Sequence, residues 1–267
     1  MCTLIAFHRC FTDAPLVVAA NRDEFHERPT EGPALREASI SSPHRRERSA
    51  RGGAKARSIR VVAPRDLRAG GSWLGVNASG LFAAITNRRC DSPDPARRSR
   101  GLLVMEALAE PSARRAAERF ARLPRHTYNA FNLFVADSES AHLVTYGDRP
   151  QRRDLAAGPH VIGNLHPDES SPKLERLRAQ VHELARGEVP SPEALADVCR
   201  SHVAGSPLES TCVHAGEYGT RSSTLLWIGA QPALRYAEGA PCAASYRDWT
   251  PLLHDLGLFP ARERASA

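Results

Sequence analysis

The chain has 267 residues, of which 42% are hydrophobic and 25% charged, so the composition is that of a folded protein and argues against wholesale disorder. No run approaches the roughly 20 apolar residues of a membrane helix, and the first residues lack a signal-peptide pattern, so we expect a cytoplasmic protein without a membrane span. The net charge of +6 comes almost entirely from arginine, and acidic residues are spread through the same segments. Without a basic strip interleaved with aromatic residues, this charge does not favour nucleic-acid binding.

The chain begins with a predicted hairpin. Residues 2–7 and 16–20 are apolar runs of strand length, separated by the turn-like residues 12–15. A polar quartet follows at the end of the second strand, where side chains can project into a site; its members are Asn21, Arg22, Asp23 and Glu24.

Residues 36–69 have a different character. This segment is basic, contains Ser and Gly, and shows no hydrophobic periodicity, so we predict a flexible loop, more typical of a solvated insertion than of a binding loop.

The remaining elements alternate between hairpins and helices. Strands are predicted at residues 72–76, 81–86, 131–136, 142–146, 161–163, 222–228 and 233–237. Helices are predicted at residues 100–109, 112–123, 172–186 and 192–200. The order of the predicted elements, with hairpins at both ends and helices between them, indicates an α+β protein rather than alternating βαβ units. With no internal repeat and no clear linker, residues 1–267 are interpreted as one domain.

The cysteines divide into one special position and five ordinary ones: Cys2, Cys10, Cys90, Cys199, Cys212 and Cys242. None forms a CxxC pair, so the spacing supports neither a zinc site nor a redox motif, and we predict no metal site. Cys2 is special because removal of Met1 would place a free α-amine and a thiol on one residue. The amine, with a pKa near 8, can take the thiol proton, so base and nucleophile come from the same residue.

Three further polar residues lie at the ends of predicted strands. Asn87 and Asn164 each end a strand, and Arg221 begins one. Acyl transfer through a thiol needs donors for the tetrahedral oxyanion, and side-chain amides supply N–H groups without adding charge. We therefore predict that these residues contribute to a shared pocket mouth, although each residue type is also common in turns.

A series of blocks along nearly the whole chain resembles one known family. The blocks are Met1-Cys2-Thr3, residues 20–25, 28–30, 66–76, 86–88, 99–101, 128–133 and 219–223. Their residues and order resemble the signature of the NRDE-motif family, also named for transport and Golgi organisation. A string of this length is far more specific than a single short motif.

That family is in turn similar to choloylglycine hydrolases and penicillin V acylases. The resemblance implies an N-terminal-nucleophile (Ntn) hydrolase fold, a four-layer αββα sandwich of antiparallel sheets. It implies Cys2 as nucleophile, with Asp23 and Arg22 holding the cysteine amine and thiol. The two asparagines, Asn87 and Asn164, would lie near the oxyanion, and Arg221 would orient or polarise the centre.

Two features depart from the acylases. Their Arg and Asp are separated by two residues, whereas Arg22 and Asp23 are adjacent. Because successive side chains of a strand point to opposite faces, one of the pair is expected to point away, and we favour Asp23 as the site residue. The basic stretch 45–60 also looks longer than the family's usual linker.

Three functions remain open on the sequence. The first is a cysteine amidohydrolase acting on a small linear amide through Cys2, with no cofactor required. The second is a non-catalytic carrier of haem, acyl-lipid or acyl-CoA on the same fold, although no CxxCH motif is present. The third, least favoured, is binding of nucleic acid or anionic lipid through residues 45–60. Histidines that could ligate haem are each better interpreted as structural or surface residues: His8, His26, His160 and His166.

Overall fold

The computed structural model describes residues 2–39, 58–89 and 93–258. Within these ranges the chain forms two seven-stranded sheets, and every strand pair in them is antiparallel.

The first sheet has the order β10-β1-β2-β12-β13-β14, with β11 paired to β12. Its strands are β1 (Thr3–His8), β2 (Leu16–Phe25), β10 (Gly158–Ile162), β11 (His214–Ala215), β12 (Tyr218–Ile228), β13 (Ala233–Glu238) and β14 (Arg247–Asp248). The second sheet follows chain order, β3 to β9. Its strands are β3 (Thr30–Ser39), β4 (Ser58–Asp66), β5 (Leu74–Asn77), β6 (Phe82–Asn87), β7 (Phe131–Ala136), β8 (Ala141–Tyr146) and β9 (Pro150–Leu155).

Of the α-helices in the described residues, four cover the outer faces of the sheets and the fifth packs against the core between them. The α-helices are α1 (Gly101–Leu108), α2 (Ala113–Phe120), α3 (Pro172–Leu184), α4 (Pro192–Arg200) and α5 (Thr250–Leu256), and a short 3-10 helix spans Pro207–Glu209. Among the residues described, no helix is both long and apolar enough to cross a membrane.

Three apolar cores separate four layers. One core joins α1 and α2 to the second sheet, and another joins α3 and α4 to the first sheet. The third lies between the sheets, where Phe82 and Phe134 from the second sheet meet Leu4 and Val18 from the first. Because successive side chains of a strand point to opposite faces, each strand can contribute to two cores. Along β2, even-numbered residues face the second sheet and odd-numbered residues face α3 and α4. The predicted α+β, αββα architecture is therefore confirmed.

Two local predictions were wrong. Strand β2 does not end at residue 20 but runs to Phe25, because β12 continues to pair with it along that whole length. The predicted loop at 36–69 is also wrong in part, since residues 36–39 belong to β3 and residues 58–66 belong to β4. These two strands pair as one long hairpin, whose hydrogen bonds need no apolar periodicity. The rest of the predicted loop at 40–57, and with it most of the basic stretch 45–60, lies outside the described residues.

Candidate active site

Cys2 lies at the end of the first sheet, immediately before β1. The register pairs Thr3 with Asn21, so Cys2 lies beside Arg22 on the neighbouring strand. Its Sγ is 3.8 Å from the backbone oxygen of Asp23. Cys2 lines two cavities, one of about 310 Å³ and one of about 70 Å³, so a ligand in either would meet the thiol.

The Asp23 carboxylate is buried and held from two directions. Thr220 on β12 donates its hydroxyl to Asp23 Oδ1 at 2.7 Å, and Tyr218 donates to the Asp23 backbone oxygen at 3.1 Å. The Thr220 hydroxyl in turn accepts the backbone N–H of Val213 at 2.9 Å. Burial raises the pKa of the Asp23 carboxyl, although Thr220 and Lys173 lower it. The side chain is thus a fixed acidic group next to Cys2.

Arg22 points to the opposite face of β2, as strand alternation requires, yet it still lines the larger cavity with Cys2. Its guanidinium stacks over the Trp73 ring at 4.4 Å and lies 3.9 Å from Glu24 and 4.0 Å from Asp66. Among the described residues, Arg22 Nη1 is buried without a hydrogen-bond partner. The two adjacent side chains do point to opposite faces of β2, as expected, yet both line the larger cavity because Cys2 stands at the strand end, where both faces are accessible.

Asn87 and Asn164 are brought together across the two sheets. Asn87 ends β6 and lines the larger cavity, whereas Asn164 follows β10 and lines the smaller one. The Asn164 side-chain amide donates to the backbone oxygen of Asn87, and the Arg89 backbone N–H donates to the Asn164 backbone oxygen at 3.0 Å. Because Cys2 lines both cavities, each asparagine faces a space that the thiol shares.

Asn132, a residue that sequence reasoning did not single out, fixes the segment that carries Asn164. Its amide donates to the backbone oxygens of Gly163 at 3.1 Å and Leu165 at 2.9 Å. The Thr86 hydroxyl donates to the same Gly163 oxygen at 2.6 Å. A polar Asn inside an otherwise apolar strand is visible in the sequence, but the distant partners that a buried amide must find are not.

Arg221 and Asn21 take positions away from the thiol. Arg221 is the extra residue of a β-bulge in β12, and its Nη2 donates to the Arg28 backbone oxygen at 3.5 Å. It is not among the described residues that line either Cys2 cavity. The Asn21 amide points to the helix layer, where it donates to the backbone oxygens of Cys199 and Thr211, each at 2.9 Å.

Lys173 was also missed by sequence reasoning. It lies in the first turn of α3, is buried, and lines the smaller cavity with Cys2. Its Nζ has no hydrogen-bond partner among the described residues. Burial lowers the pKa of Lys173, while the nearby Asp23, Cys2 and Glu209 raise it. The signal was compositional: this is one of only two lysines in a chain that otherwise uses arginine.

Charged side chains form the rim of the larger cavity. Arg28 pairs with Asp66 through Nη2 at 2.7 Å and Nε at 2.8 Å, and also approaches Glu24 at 3.6 Å. The other arginines lining the cavity are Arg22, Arg68, Arg97, Arg98 and Arg100, and the other carboxylates are those of Asp23 and Asp94. Among the described residues that line this cavity, six arginines face four carboxylates, and one of the six, Arg98, also pairs with Glu106 outside the lining.

The αββα layering, with a thiol at the start of the first strand, gives the chain the Ntn-hydrolase-like fold. Solved structures of low sequence identity share this fold. A variant of conjugated bile acid hydrolase from Clostridium perfringens gives a TM-score of 0.57 at 11% identity, covering 93% of each chain. The penicillin V acylase of Agrobacterium tumefaciens gives 0.51 at 14%, covering 95% of this chain and 88% of that one. An N-acylethanolamine-hydrolyzing acid amidase ortholog from Caenorhabditis elegans gives 0.52 at 10%, covering 84% and 92%.

Within that fold class, residues 1–240 match the model of the family described as Transport and Golgi organisation 2, and the chain belongs to this family. The Bos taurus transport and Golgi organization protein 2 homolog is 26% identical over 91% of this chain and 92% of its own length. The Mus musculus homolog is 25% identical, over 84% and 85%. The resemblance carried by the sequence blocks is therefore confirmed.

Proposed function

We propose that the protein is an Ntn-type cysteine amidohydrolase that cleaves a small linear amide through the Cys2 thiol after removal of Met1. One observation carries the proposal: the Cys2 thiol shares the larger cavity with a buried acid, Asp23, and a buried guanidinium, Arg22. Placement of an acid and a cation beside a nucleophile on rigid strands is what acyl transfer requires.

In the first half-reaction, the α-amine of Cys2 takes the thiol proton and Sγ attacks the amide carbonyl carbon. The carbonyl π-electrons move to oxygen, and the resulting oxyanion is stabilised by amide N–H groups from Asn87 and Asn164 and by the guanidinium of Arg22. The oxyanion then collapses, the C–N bond breaks, and the ammonium of Cys2 gives its proton to the leaving nitrogen. An amine departs and a thioester remains.

In the second half-reaction, water attacks the thioester carbonyl while the α-amine accepts a water proton. Collapse breaks the C–S bond, the acid is released, and the proton returns to sulfur. Water is the only co-reactant in the two half-reactions, and the atoms balance without a metal or a redox partner.

Asp23 and Lys173 maintain the charge that this chemistry needs. Burial raises the pKa of the Asp23 carboxyl on balance, and the neighbouring Lys173 opposes this shift. In the proposed reaction, Asp23 in its ionised form holds the ammonium form of the Cys2 amine. Lys173 is assigned a positioning role through Asp23.

The charge of the larger cavity supports an anionic group on the substrate. Arg22 Nη1 is buried without a partner among the described residues, and arginines outnumber carboxylates along the wall. A carboxylate or similar group would match a guanidinium through charge-assisted hydrogen bonds. We therefore favour acyl amides that carry a carboxylate over neutral ones of equal size.

The direct test uses a panel of acyl amides, with and without a carboxylate, and three forms of the protein. We expect turnover by the processed chain and by Cys10→Ala, and none by Cys2→Ala. Cys10 is the matched control because it is a partly exposed cysteine on the same hairpin. Turnover that survives in Cys2→Ala would exclude the thiol as the nucleophile.

The carrier hypothesis makes the opposite prediction. A non-catalytic haem or acyl-lipid carrier would leave every amide intact and would show saturable binding of haem or acyl-CoA by the processed chain. Binding of that kind, unchanged in Cys2→Ala and with no turnover, would replace the proposed function.

A further inference from the structure

Four side chains with metal-binding atoms converge outside the two Cys2 cavities: His202, Cys212, His214 and Cys242. We call them the thiol–imidazole cluster. Each offers one ligand atom, and these atoms all lie within 4.8 Å of one another. We propose that the thiol–imidazole cluster binds Zn²⁺ as a structural site.

The distances among the ligand atoms of Cys212, His214 and Cys242 are close to those of a tetrahedral zinc centre. Zn–S bonds of about 2.3 Å and Zn–N bonds of about 2.0 Å place ligand atoms about 3.3–3.8 Å apart around the ion. The two sulfurs, of Cys212 and Cys242, are 3.5 Å apart. His214 Nε2 lies 3.5 Å from Cys212 Sγ and 3.1 Å from Cys242 Sγ. The sulfur separation is much longer than the roughly 2.05 Å of a disulfide bond, so both thiols are free to ligate an ion.

Backbone contacts bring the three ligand-bearing segments together. The N–H groups of Thr211 and Cys212 both donate to the Ser201 backbone oxygen at 3.1 Å, which places Cys212 next to His202. The Arg200 side chain donates to the Pro241 backbone oxygen at 3.1 Å and so holds the residue before Cys242. The fold therefore assembles the ligands through contacts that do not involve the ligand atoms.

The ligand chemistry selects the metal. Two thiolates and two imidazoles in a compact group suit a borderline-soft ion with tetrahedral preference, which is Zn²⁺ among common divalent ions. A set with four protein ligands also leaves no open position, which is typical of structural rather than catalytic zinc.

A zinc ion in the thiol–imidazole cluster would also stabilise the candidate active site, because the segment that carries the ligands contacts it. Residue Val213, between two of the ligands, donates its N–H to the Thr220 hydroxyl that holds Asp23. Glu209, in the same segment, lines the smaller cavity and accepts the backbone N–H of Lys173 at 2.8 Å. Zinc would thus hold in place both the Thr220 hydroxyl that supports Asp23 and one wall of the smaller cavity.

The sequence prediction of no metal site depended on the lack of a CxxC pair. In the structure the ligands come from the loop after α4, from the end of that loop at β11, and from the segment after β13. Only Cys212 and His214 are neighbours in sequence, separated by one residue. The fold therefore brings together ligands that are too far apart in sequence for a CxxC-type spacing to reveal.

The test is zinc content measured by elemental analysis on full-length protein, expressed with added zinc, purified under reducing conditions and exposed to a weak chelator. We expect about one bound zinc per chain, as for a single four-ligand site. The variants Cys242→Ser and His202→Ala should lose it, and both alter exposed ligands, so folding is not at risk from a core change. Cys10→Ser and His166→Ala are the matched controls and should keep the metal.

Replacement of zinc by Co²⁺ gives a second readout that does not depend on activity. Tetrahedral ligation by two thiolates predicts strong visible d–d absorption and thiolate-to-cobalt charge transfer, both lost in Cys242→Ser. The proposal is overturned if no zinc resists the weak chelator, if the ligand variants keep full zinc, or if a Cys212–Cys242 disulfide is mapped in protein purified without reductant. None of these outcomes depends on whether Cys2 turns over an amide.

Discussion

At the scale of single residues, the surroundings of the candidate nucleophile shift the pKa of its thiol in both directions. Burial raises the pKa of the Cys2 thiol and the Asp23 carboxylate raises it further, whereas the Arg22 guanidinium lowers it. A thiol with a raised pKa is protonated at neutral pH and does not attack unaided. The proposed reaction therefore needs a base within reach of sulfur, which the α-amine of the same residue provides only once Met1 has been removed.

Lys173, the buried cation near Cys2 and Asp23, should make the stability of the fold depend on pH. Because burial lowers the pKa of Lys173 in the folded chain, the unfolded chain binds more protons between that lowered value and the ordinary lysine value of about 10.4. The free energy of unfolding should therefore rise with pH in this window, by at most about 1.4 kcal/mol per pH unit from this group. Lys173→Met should lack that contribution.

The measurement is urea unfolding of both proteins at a series of alkaline pH values. Arg178→Met, on the same helix, is the control because it removes a cation that does not titrate in this range. A constant stability difference between wild type and Lys173→Met across the series would show that Lys173 keeps its ordinary pKa in the folded state.

At the scale of elements, two glycines allow the segment after β4 to approach the start of α1. A Cβ on Gly71 would lie 2.3 Å from the carbonyl carbon and 2.5 Å from the carbonyl oxygen of Gly101, which are backbone atoms that cannot move aside. This approach brings Ser72, Trp73 and Arg100 to the wall of the larger cavity. Both glycines belong to blocks that carried the family resemblance.

Gly71→Ala should accordingly destabilise the protein by at least about 1–3 kcal/mol, the usual cost of overpacking. The comparison is Gly187→Ala, where a Cβ would lie 3.9 Å from the Leu184 backbone oxygen and a small change or slight gain in stability is expected. Thermal and urea unfolding of the two variants measure the difference. Equal stabilities would mean that the approach of Gly71 to Gly101 is looser than the structure has it.

Strongly patterned elements were predictable from the sequence, and elements defined by their partners were not. Strand β7 and helix α4 have the predicted bounds, because an apolar run and a Ser-Pro helix start specify them locally. The edge strand β9 was missed, since its residues are polar and half-exposed and depend on pairing with β8. The extension of β2 through the polar quartet was missed for the same reason.

The candidate site divides in the same way. Cys2 and Asp23 were predictable because an N-terminal thiol and a polar motif after a strand are visible in sequence. Lys173 and Asn132 were not, because their importance depends on burial and on partners far away in the chain. The bulge that displaces Arg221 from the Cys2 cavities is likewise a property of strand pairing, which single-chain patterns do not encode.

At the scale of the whole molecule, we predict that the core between the sheets makes the two halves of the sandwich one cooperative unit. Phe134 is fully buried there and contacts Phe82 edge-on, with ring centroids 6.2 Å apart. Phe134→Ala should cost about 3–5 kcal/mol, and the unfolding curves from circular dichroism and tryptophan fluorescence should still coincide. Leu67→Ala, at a side chain 46% exposed, should change stability by less than about 0.5 kcal/mol. Separate transitions for the two probes would mean that the sheets unfold independently.

The central claim is that Cys2 is an activated N-terminal nucleophile, and the most direct measurement is intact mass followed by labelling with a limiting thiol electrophile at neutral pH. Two chains are compared: one expressed from Met1, and one with a retained extension that blocks the Cys2 amine. We predict that the first lacks Met1 and is labelled at Cys2 faster than at Cys10, and that the extension abolishes this preference. Retention of Met1, or labelling of Cys2 no faster than Cys10 in the processed chain, would contradict the account.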